Sequence, residues 1–301
     1  MTVPRGDVDY SRLNIVGCGR LAKAVGKLFL DARIVREIHV CNRSLVSGEE
    51  AVAVVGTGVA YSSVKEMPQS SLWLIGSGDQ EIPEVVRLLA EDALFETPSV
   101  VFHCSGAIPS TELAPLRERG CGVASVHPVR SFANTEMAVR DFRGTLCAAE
   151  GDESALRIVG SLFSDIGGEV FTVPTEAKLL CHAGHVFASN YLVSLLKVAH
   201  DLYAAAGIPE ELSWRIMEPL VRGTVDNVMR LGPTRALTGP VARGEGPLIA
   251  KQLDEVRKIS LPLSDLYARL GCIAVDIARE QGVSEDRIQS VRAALISAES
   301  E

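Results

Sequence analysis

The sequence predicts an α/β fold, a doubly wound parallel sheet followed by an all-α C-terminal domain. Three features predict it: short apolar runs alternating with helical patterns through the first half, a glycine-rich turn directly after the first run, and an abrupt end to the strands after Pro174. Runs that are apolar throughout, rather than at every second position, mark parallel strands covered on both faces.

Leu13–Val16 reads as the first strand and Arg20–Leu30 as a helix with Leu21, Val25 and Leu28 on one side. Glu37–Cys41 is the second strand. Ser71–Ile75 is the third, followed by a helix over Ile82–Ala90. Ser99–His103 and Gly122–Val126 are the fourth and fifth. Thr145–Ala149, a helix over Glu153–Ile166 and the run Glu169–Val173 extend the pattern. Thr175–Ala206 then reads as one long helix closed by Gly207, and Pro209 opens a second over Glu210–Leu231. Residues 232–246 are rich in Gly and Pro and form a structured loop. Helices over 248–258, 263–281 and 285–297 complete the chain. The boundary falls at Pro174: residues 1–173 form an α/β domain, and residues 174–301 an all-α one.

Length and composition fit this division. A chain of 301 residues, at roughly 100–200 per domain, holds about two domains. The balance of 47% hydrophobic and 23% charged residues excludes a disordered chain. A net charge of −8 argues against binding nucleic acid or an acidic membrane by bulk electrostatics, and leaves open a small anionic ligand recognised locally. No apolar run reads as long enough to cross a bilayer; Val52–Ala60 is short and broken by Gly56 and Gly58. Residues 1–9 lack the apolar core of a signal peptide. The seven cysteines include no Cys-x-x-Cys pair, which argues against a disulfide framework or a structural zinc site. The expectation is a soluble, cytoplasmic protein with no metal, no nucleic-acid partner and no membrane association, its cysteines packing as small hydrophobes.

The segment Gly17-Cys18-Gly19-Arg20-Leu21-Ala22 follows the first strand and opens the first helix. Gly17 allows the tight turn, Gly19 lets the backbone approach a pyrophosphate, and Ala22 keeps the helix close to the sheet. The helix N-terminus, with Arg20 and Leu21, faces the phosphates with unpaired N–H groups. The second strand ends in Asn42-Arg43-Ser44, with no acid to hold a ribose 2′-hydroxyl. Arg43 pairs well with a 2′-phosphate, and Asn42 and Ser44 add hydrogen bonds, which favours NADP over NAD. Gly76 and Ser77 after the third strand, and Ser105 and Gly106 after the fourth, sit where open α/β sheets bind ligands and are expected under the cofactor. The competing reading of both pairs is an ordinary turn.

The helix from Thr175 carries Lys178, His182, His185 and Ser189, at offsets that place all four on one face. Its surroundings are apolar nearly all round, which predicts burial. Lys and His in a buried stripe are costly unless paired or facing a wet cleft. The alternative is a stripe solvated at a domain seam. A hydride acceptor develops charge as it is reduced, and a cation or proton donor stabilises it. Lys178 is read as the charge stabiliser and His182 as proton donor or substrate hydrogen-bonder, with His185 and Ser189 lining the same face. Asn190 lies off that face and bridges towards the nicotinamide side. His127 and Arg130 follow the fifth strand, where Arg130 can clamp a carboxylate. Thr238 and Arg243, in the long loop of the helical half, are further substrate-binding candidates.

Taken in order, Gly17-x-Gly19-x-x-Ala22, Asn42-Arg43-Ser44, His103-Cys-Ser-Gly106, His127-Pro128, the stretch Lys178–Asn190 and Leu237-Thr-Gly-Pro240 resemble the Rossmann-like proteins of bacteria that carry a C-terminal helical domain of unknown function. These are relatives of the 6-phosphogluconate dehydrogenase-like superfamily, near pyrroline-5-carboxylate reductase, ketopantoate reductase and the deazaflavin-dependent NADP reductases. The resemblance spans nearly the whole chain. It implies an NADP-dependent oxidoreductase, homodimeric through the helical domain. In the β-hydroxyacid dehydrogenases of the same neighbourhood a catalytic Lys is followed four residues later by Asn. Lys178 matches the Lys, but His182 stands where the Asn would be, and that departure leaves the substrate open.

The leading expectation is hydride transfer between NADP(H) and a small oxo acid, hydroxy acid or cyclic imine. Two others stand beside it: a deazaflavin–NADP oxidoreductase, and a non-catalytic NADP-binding sensor. A Lys178 that is ion-paired and shut away would mark the last.

Overall fold

The computed structural model describes residues 9–130, 132 and 134–296. Residues 1–8, read above for signal-peptide character, and Ser297, the expected end of the last helix, lie outside the described residues.

Eight strands form one sheet: β1 (Arg12–Val16), β2 (Glu37–Cys41), β3 (Val59–Tyr61), β4 (Ser70–Ile75), β5 (Phe95–His103), β6 (Gly122–Pro128), β7 (Leu146–Gly151) and β8 (Glu169–Thr172). Helices α1 (Arg20–Asp31), α2 (Leu45–Val55), α3 (Ile82–Asp92), α4 (Ala114–Glu118), α5 (Thr135–Arg140) and α6 (Glu153–Asp165) connect them. The order across the sheet is β3-β2-β1-β4-β5-β6-β7-β8. Every pairing is parallel except β6 with β7, which is antiparallel. The sheet is thus mostly parallel, and its one reversal sets Ser125 of β6 directly opposite Glu150 of β7.

The continuous apolar strands do bury both faces. Leu72 and Leu74 of β4 point into one layer, with Val25 and Phe29 of α1 and Val159 and Phe163 of α6. Trp73 and Ile75 point into the other, with Val86 and Leu89 of α3 and Leu116 of α4. Successive residues face opposite ways along a strand, so each strand must be apolar at every position to serve both layers.

After β8 the chain is helical: α7 (Lys178–Ala188), α8 (Asn190–Ala205), α9 (Glu210–Leu231), α10 (Pro233–Ala236), α11 (Gly246–Ile259), α12 (Leu261–Glu280) and α13 (Glu285–Ile296). The chain divides into two compact units, residues 1–189 and 190–301. Thus α7 belongs with the sheet, although strand structure ends near Pro174. The second unit has its own core from Ile249, Ala268, Val275, Ile288, Val291 and Leu295.

Two expectations for the long helix are corrected. It is broken at Ser189, whose backbone leaves helical geometry at φ −122° and ψ −69°. Its apolar side chains are not buried: Leu180 is 78% exposed, Phe187 66% and Val193 69%. By length and composition alone Thr175–Ala205 is also apolar enough to cross a bilayer, with mean hydropathy 1.3, against the expectation that no run reaches that length. Its first turn is instead anchored in the sheet unit, where Lys178 is buried.

Candidate active site

The sheet order reverses between β1 and β4, each of which leads into a glycine turn. Open α/β sheets bind ligands outside the carboxyl ends of strands at such a switch point. Gly17 adopts φ +76°, and a Cβ there would lie 2.6 Å from the Ser77 backbone nitrogen. A Cβ on Gly76 would lie 2.4 Å from the Ala22 Cβ. The glycines therefore let the two turns and α1 interlock, and Gly19 N–H reaches both Gly17 O at 2.8 Å and Gly76 O at 3.4 Å. Helix α1 begins with Arg20 and Leu21, has no side-chain cap, and carries no acid in its first turn. Its positive end is left for an anion. Beside it, the Ser77 hydroxyl is buried with no hydrogen-bond partner among the described residues. An uncapped helix end, a cradle that a Cβ would fill and an orphaned hydroxyl together fit a dinucleotide pyrophosphate.

The end of β2 divides its labour. Asn42 Oδ1 accepts from Cys18 N–H at 2.6 Å and its amide donates to Ser47 O at 2.9 Å, so Asn42 braces the turn. Ser44 caps α2 by accepting from Ser47 N–H. Arg43 is the exposed member, with a side chain 90% accessible and Glu81 at 3.7 Å.

A second group of residues meets around Lys178. Its Nζ donates to Ser125 Oγ at 2.5 Å and lies 3.3 Å from Glu150 Oε1. Lys178 is 4% exposed and Glu150 2%. Glu150 also accepts from Ser110 N–H at 2.7 Å, from the Ser110 hydroxyl at 2.6 Å and from Thr175 at 3.1 Å. Burial lowers the Lys178 pKa from its ordinary value, and Glu150 opposes that shift. Lys178 is thus a buried, ion-paired side chain that joins α7 to β6 and β7. Glu150 escaped the sequence reading: it directly follows the apolar run Leu146-Cys-Ala-Ala and, with Asp152 and Glu153 close behind, reads as the start of a polar turn.

One turn beyond Lys178, His182 and His185 meet His127 from the end of β6. Ring centroids lie 6.0 Å apart for His127 and His182, 5.6 Å for His127 and His185, and 6.3 Å for His182 and His185. One ring nitrogen from each lies within 4.8 Å of the others. His127 Nδ1 pairs with Cys104 O at 3.1 Å, while Nδ1 of His182 and of His185 are buried without hydrogen-bond partners among the described residues. Gly106 faces this group: a Cβ on it would lie 2.5 Å from His182 Nδ1 and 2.9 Å from His127 Nε2. Burial pushes the His127 pKa down to about 4 and lowers that of His185, so both rings are neutral near pH 7. Deeper in the sheet, His103 is fully buried and pushed down to about 3, by burial first and then by the Lys178 charge.

The other expected residues bond to neighbours of their own or belong to the second unit. Arg130 is engaged by Asp141 and Thr145, so the proposed carboxylate clamp already has partners. Ser105 Oγ accepts from Ala107 and Ile108 N–H, fixing the turn after β5. Ser189 Oγ donates to His185 O at 2.7 Å within its helix. Asn190, Thr238 and Arg243 belong to the second unit, where Arg243 is held by Glu245 at 2.9 Å.

Two family models cover most of the chain: a Rossmann-like domain over residues 2–128 and a domain of unknown function, DUF2520, over residues 145–291. The chain is a Rossmann-like protein with a C-terminal DUF2520 domain. In this Rossmann–DUF2520 protein His127, Ser125 and Gly106 come from the first match, and Glu150, Lys178, His182 and His185 from the second. Both sets lie within one compact unit. No curated protein matches the chain by sequence. Among solved structures, protein TM1727 from Thermotoga maritima is similar at 26% identity and TM-score 0.70, covering 90% of this chain and 100% of its own. The candidate NADP oxidoreductase BF3122 from Bacteroides fragilis has 20% identity and TM-score 0.70, covering 89% and 98%. The Plasmodium falciparum pyrroline carboxylate reductase, solved with NADP bound, has 14% identity and TM-score 0.57, covering 95% and 99%. The last two share the fold.

Proposed function

We propose that this protein is an NADP(H)-dependent oxidoreductase acting on a small oxo acid, hydroxy acid or cyclic imine. The observation that carries the reading is the cradle at the β1/β4 switch point, with its uncapped helix end and orphaned Ser77 hydroxyl. Gly17, Gly19, Arg20 and Leu21 would hold the pyrophosphate, and Ser77 would donate to it. Arg43, exposed at the end of β2, would meet a 2′-phosphate, which favours NADP over NAD. When bound, such a cofactor supplies or accepts a hydride. The three half-buried histidines are then the groups left to meet the substrate's reacting heteroatom. Lys178, held by Glu150 and Ser125, acts as a positioning residue for α7 rather than as a catalytic one.

One observation favours a second reading. Lys178 is ion-paired and shut away, the arrangement expected of a non-catalytic NADP-binding sensor. A single experiment separates the two. NADPH and NADH binding is measured by nicotinamide fluorescence, and NADPH oxidation is followed against oxo acids, cyclic imines and a deazaflavin. Binding with turnover of an oxo acid or imine supports the enzyme. Binding without turnover across the panel supports the sensor, and absence of binding overturns both.

We also infer that the protein is a homodimer through its helical domain. Val193 of α8 and Leu220 and Met229 of α9 are exposed at 69%, 61% and 80%. The Lys197–Asp201 ion pair on α8 fits a protein partner in water better than hydrocarbon. Light scattering checks the molar mass.

A further inference from the structure

We propose that His127, His182 and His185 form a binding site for a divalent transition-metal cation of the zinc class, with the remaining coordination position open to water or a substrate heteroatom. Such a site stands on its own geometry and does not need the dinucleotide. Three of the chain's six histidines converge, each offering a ring nitrogen within 4.8 Å of the other two. Tetrahedral zinc binds imidazole nitrogen at about 2.0–2.1 Å, which places ligand nitrogens roughly 3.4 Å apart. Small rotations of the side chains close the difference.

The surroundings are those of a ligand set rather than of a packed core. The bond between His127 Nδ1 and Cys104 O fixes its tautomer, with Nδ1 as the donor and Nε2 carrying the free lone pair. That Nε2 and the Nδ1 of His182 both face Gly106. Nδ1 of His182 and of His185 are buried without partners among the described residues, a cost that structures rarely leave standing. A cation would use both lone pairs. Gly106 completes the case, because any side chain there would place a carbon 2.5 Å from His182 Nδ1. Nearby charge does not forbid the ion: Lys178 is matched by Glu150, so the neighbouring pair is close to neutral. A histidine triad with an open position is the pattern of a metal that polarises a bound oxygen rather than one that only braces a fold.

The test uses untagged full-length protein, stripped with a chelator and titrated with Co(II). The visible d–d bands report coordination geometry, and calorimetry with zinc chloride reports affinity. We expect one equivalent bound with tetrahedral bands. His182→Ala and His185→Gln should each weaken binding by about 100-fold or more, since each removes a ligand. His200→Gln, in the second unit, serves as the control and should leave binding unchanged. Far-UV circular dichroism and tryptophan emission establish that each variant is folded. The proposal is overturned if the stripped protein gives no tetrahedral bands, or if folded His182→Ala and His185→Gln bind as tightly as the parent. Neither outcome depends on turnover or on NADPH binding.

Discussion

Removing the charge of Glu150 tests how the site is held. Lys178 Nζ and Glu150 Oε1 are 3.3 Å apart and both residues are almost completely buried. At that distance and an effective dielectric of about 20, their attraction is about 5 kcal/mol. Desolvation offsets much of this in the intact pair, but breaking one partner leaves the other charge uncompensated, at a cost of about 3–5 kcal/mol. Glu150→Gln keeps the shape and also turns an amide NH₂ towards donors from Ser110, Thr175 or Lys178. We therefore expect a loss of about 4 kcal/mol in the stability of the sheet unit. The double variant Glu150→Gln/Lys178→Met should recover about 2 kcal/mol or more of that loss, since no buried charge is then unpaired. Each unit contains one of the chain's two tryptophans, Trp73 in the first and Trp214 in the second. In a Trp214→Phe background, urea unfolding followed by Trp73 emission reads the sheet unit directly. A loss under about 1 kcal/mol for Glu150→Gln, or strictly additive effects in the double variant, would refute the reasoning.

Other outcomes follow from the same geometry. His103 and His127 stay neutral in the fold to about pH 3 and 4, while the unfolded chain protonates them near 6.5. The unfolded state thus binds more protons as pH falls below about 6.5, so this stability is present above that pH and is lost towards pH 4. The buried His103 alone contributes a slope of up to about 1.4 kcal/mol per pH unit, and His103→Asn should reduce it in urea titrations at pH 7, 6 and 5. Gly17→Ala forces a Cβ against Ser77 at φ +76° and should abolish dinucleotide binding while lowering the melting temperature. Arg43→Ala should weaken NADPH binding about tenfold and leave NADH nearly unchanged, closing the gap between them in fluorescence titrations.

Legibility in the sequence followed the range over which each feature is decided. Strands such as Ser70–Ile75 were plain because burial on both faces demands an unbroken apolar run. The three-residue edge strand β3, with Val59 exposed, has no such run and was missed. The break at Ser189 carries no Gly or Pro at the site, so the helical pattern ran straight through it. Lys178, His182 and His185 were legible as one face because helical spacing is local. What each of them meets is not local. The partner of Lys178 is Glu150, and it depends on β7 running antiparallel, which sets Glu150 opposite Ser125 under the first turn of α7. A parallel β7 would carry its side chains in a different register and leave the lysine without its counter-charge. The same reversal explains why Lys178 became a strut while the histidines one turn on did not. The carboxylate and hydroxyls of β6, β7 and the turn before α4 are used up on Lys178 and on one another. Among the described residues no acid bonds to His182 or His185, and the His182 Nδ1 faces Gly106. Within the polar stripe Lys178 is thus satisfied, while the Nδ1 atoms of His182 and His185 have no hydrogen-bond partner among the described residues. On the proposed reading, function falls to these two histidines, whose hydrogen-bonding capacity the fold leaves unused.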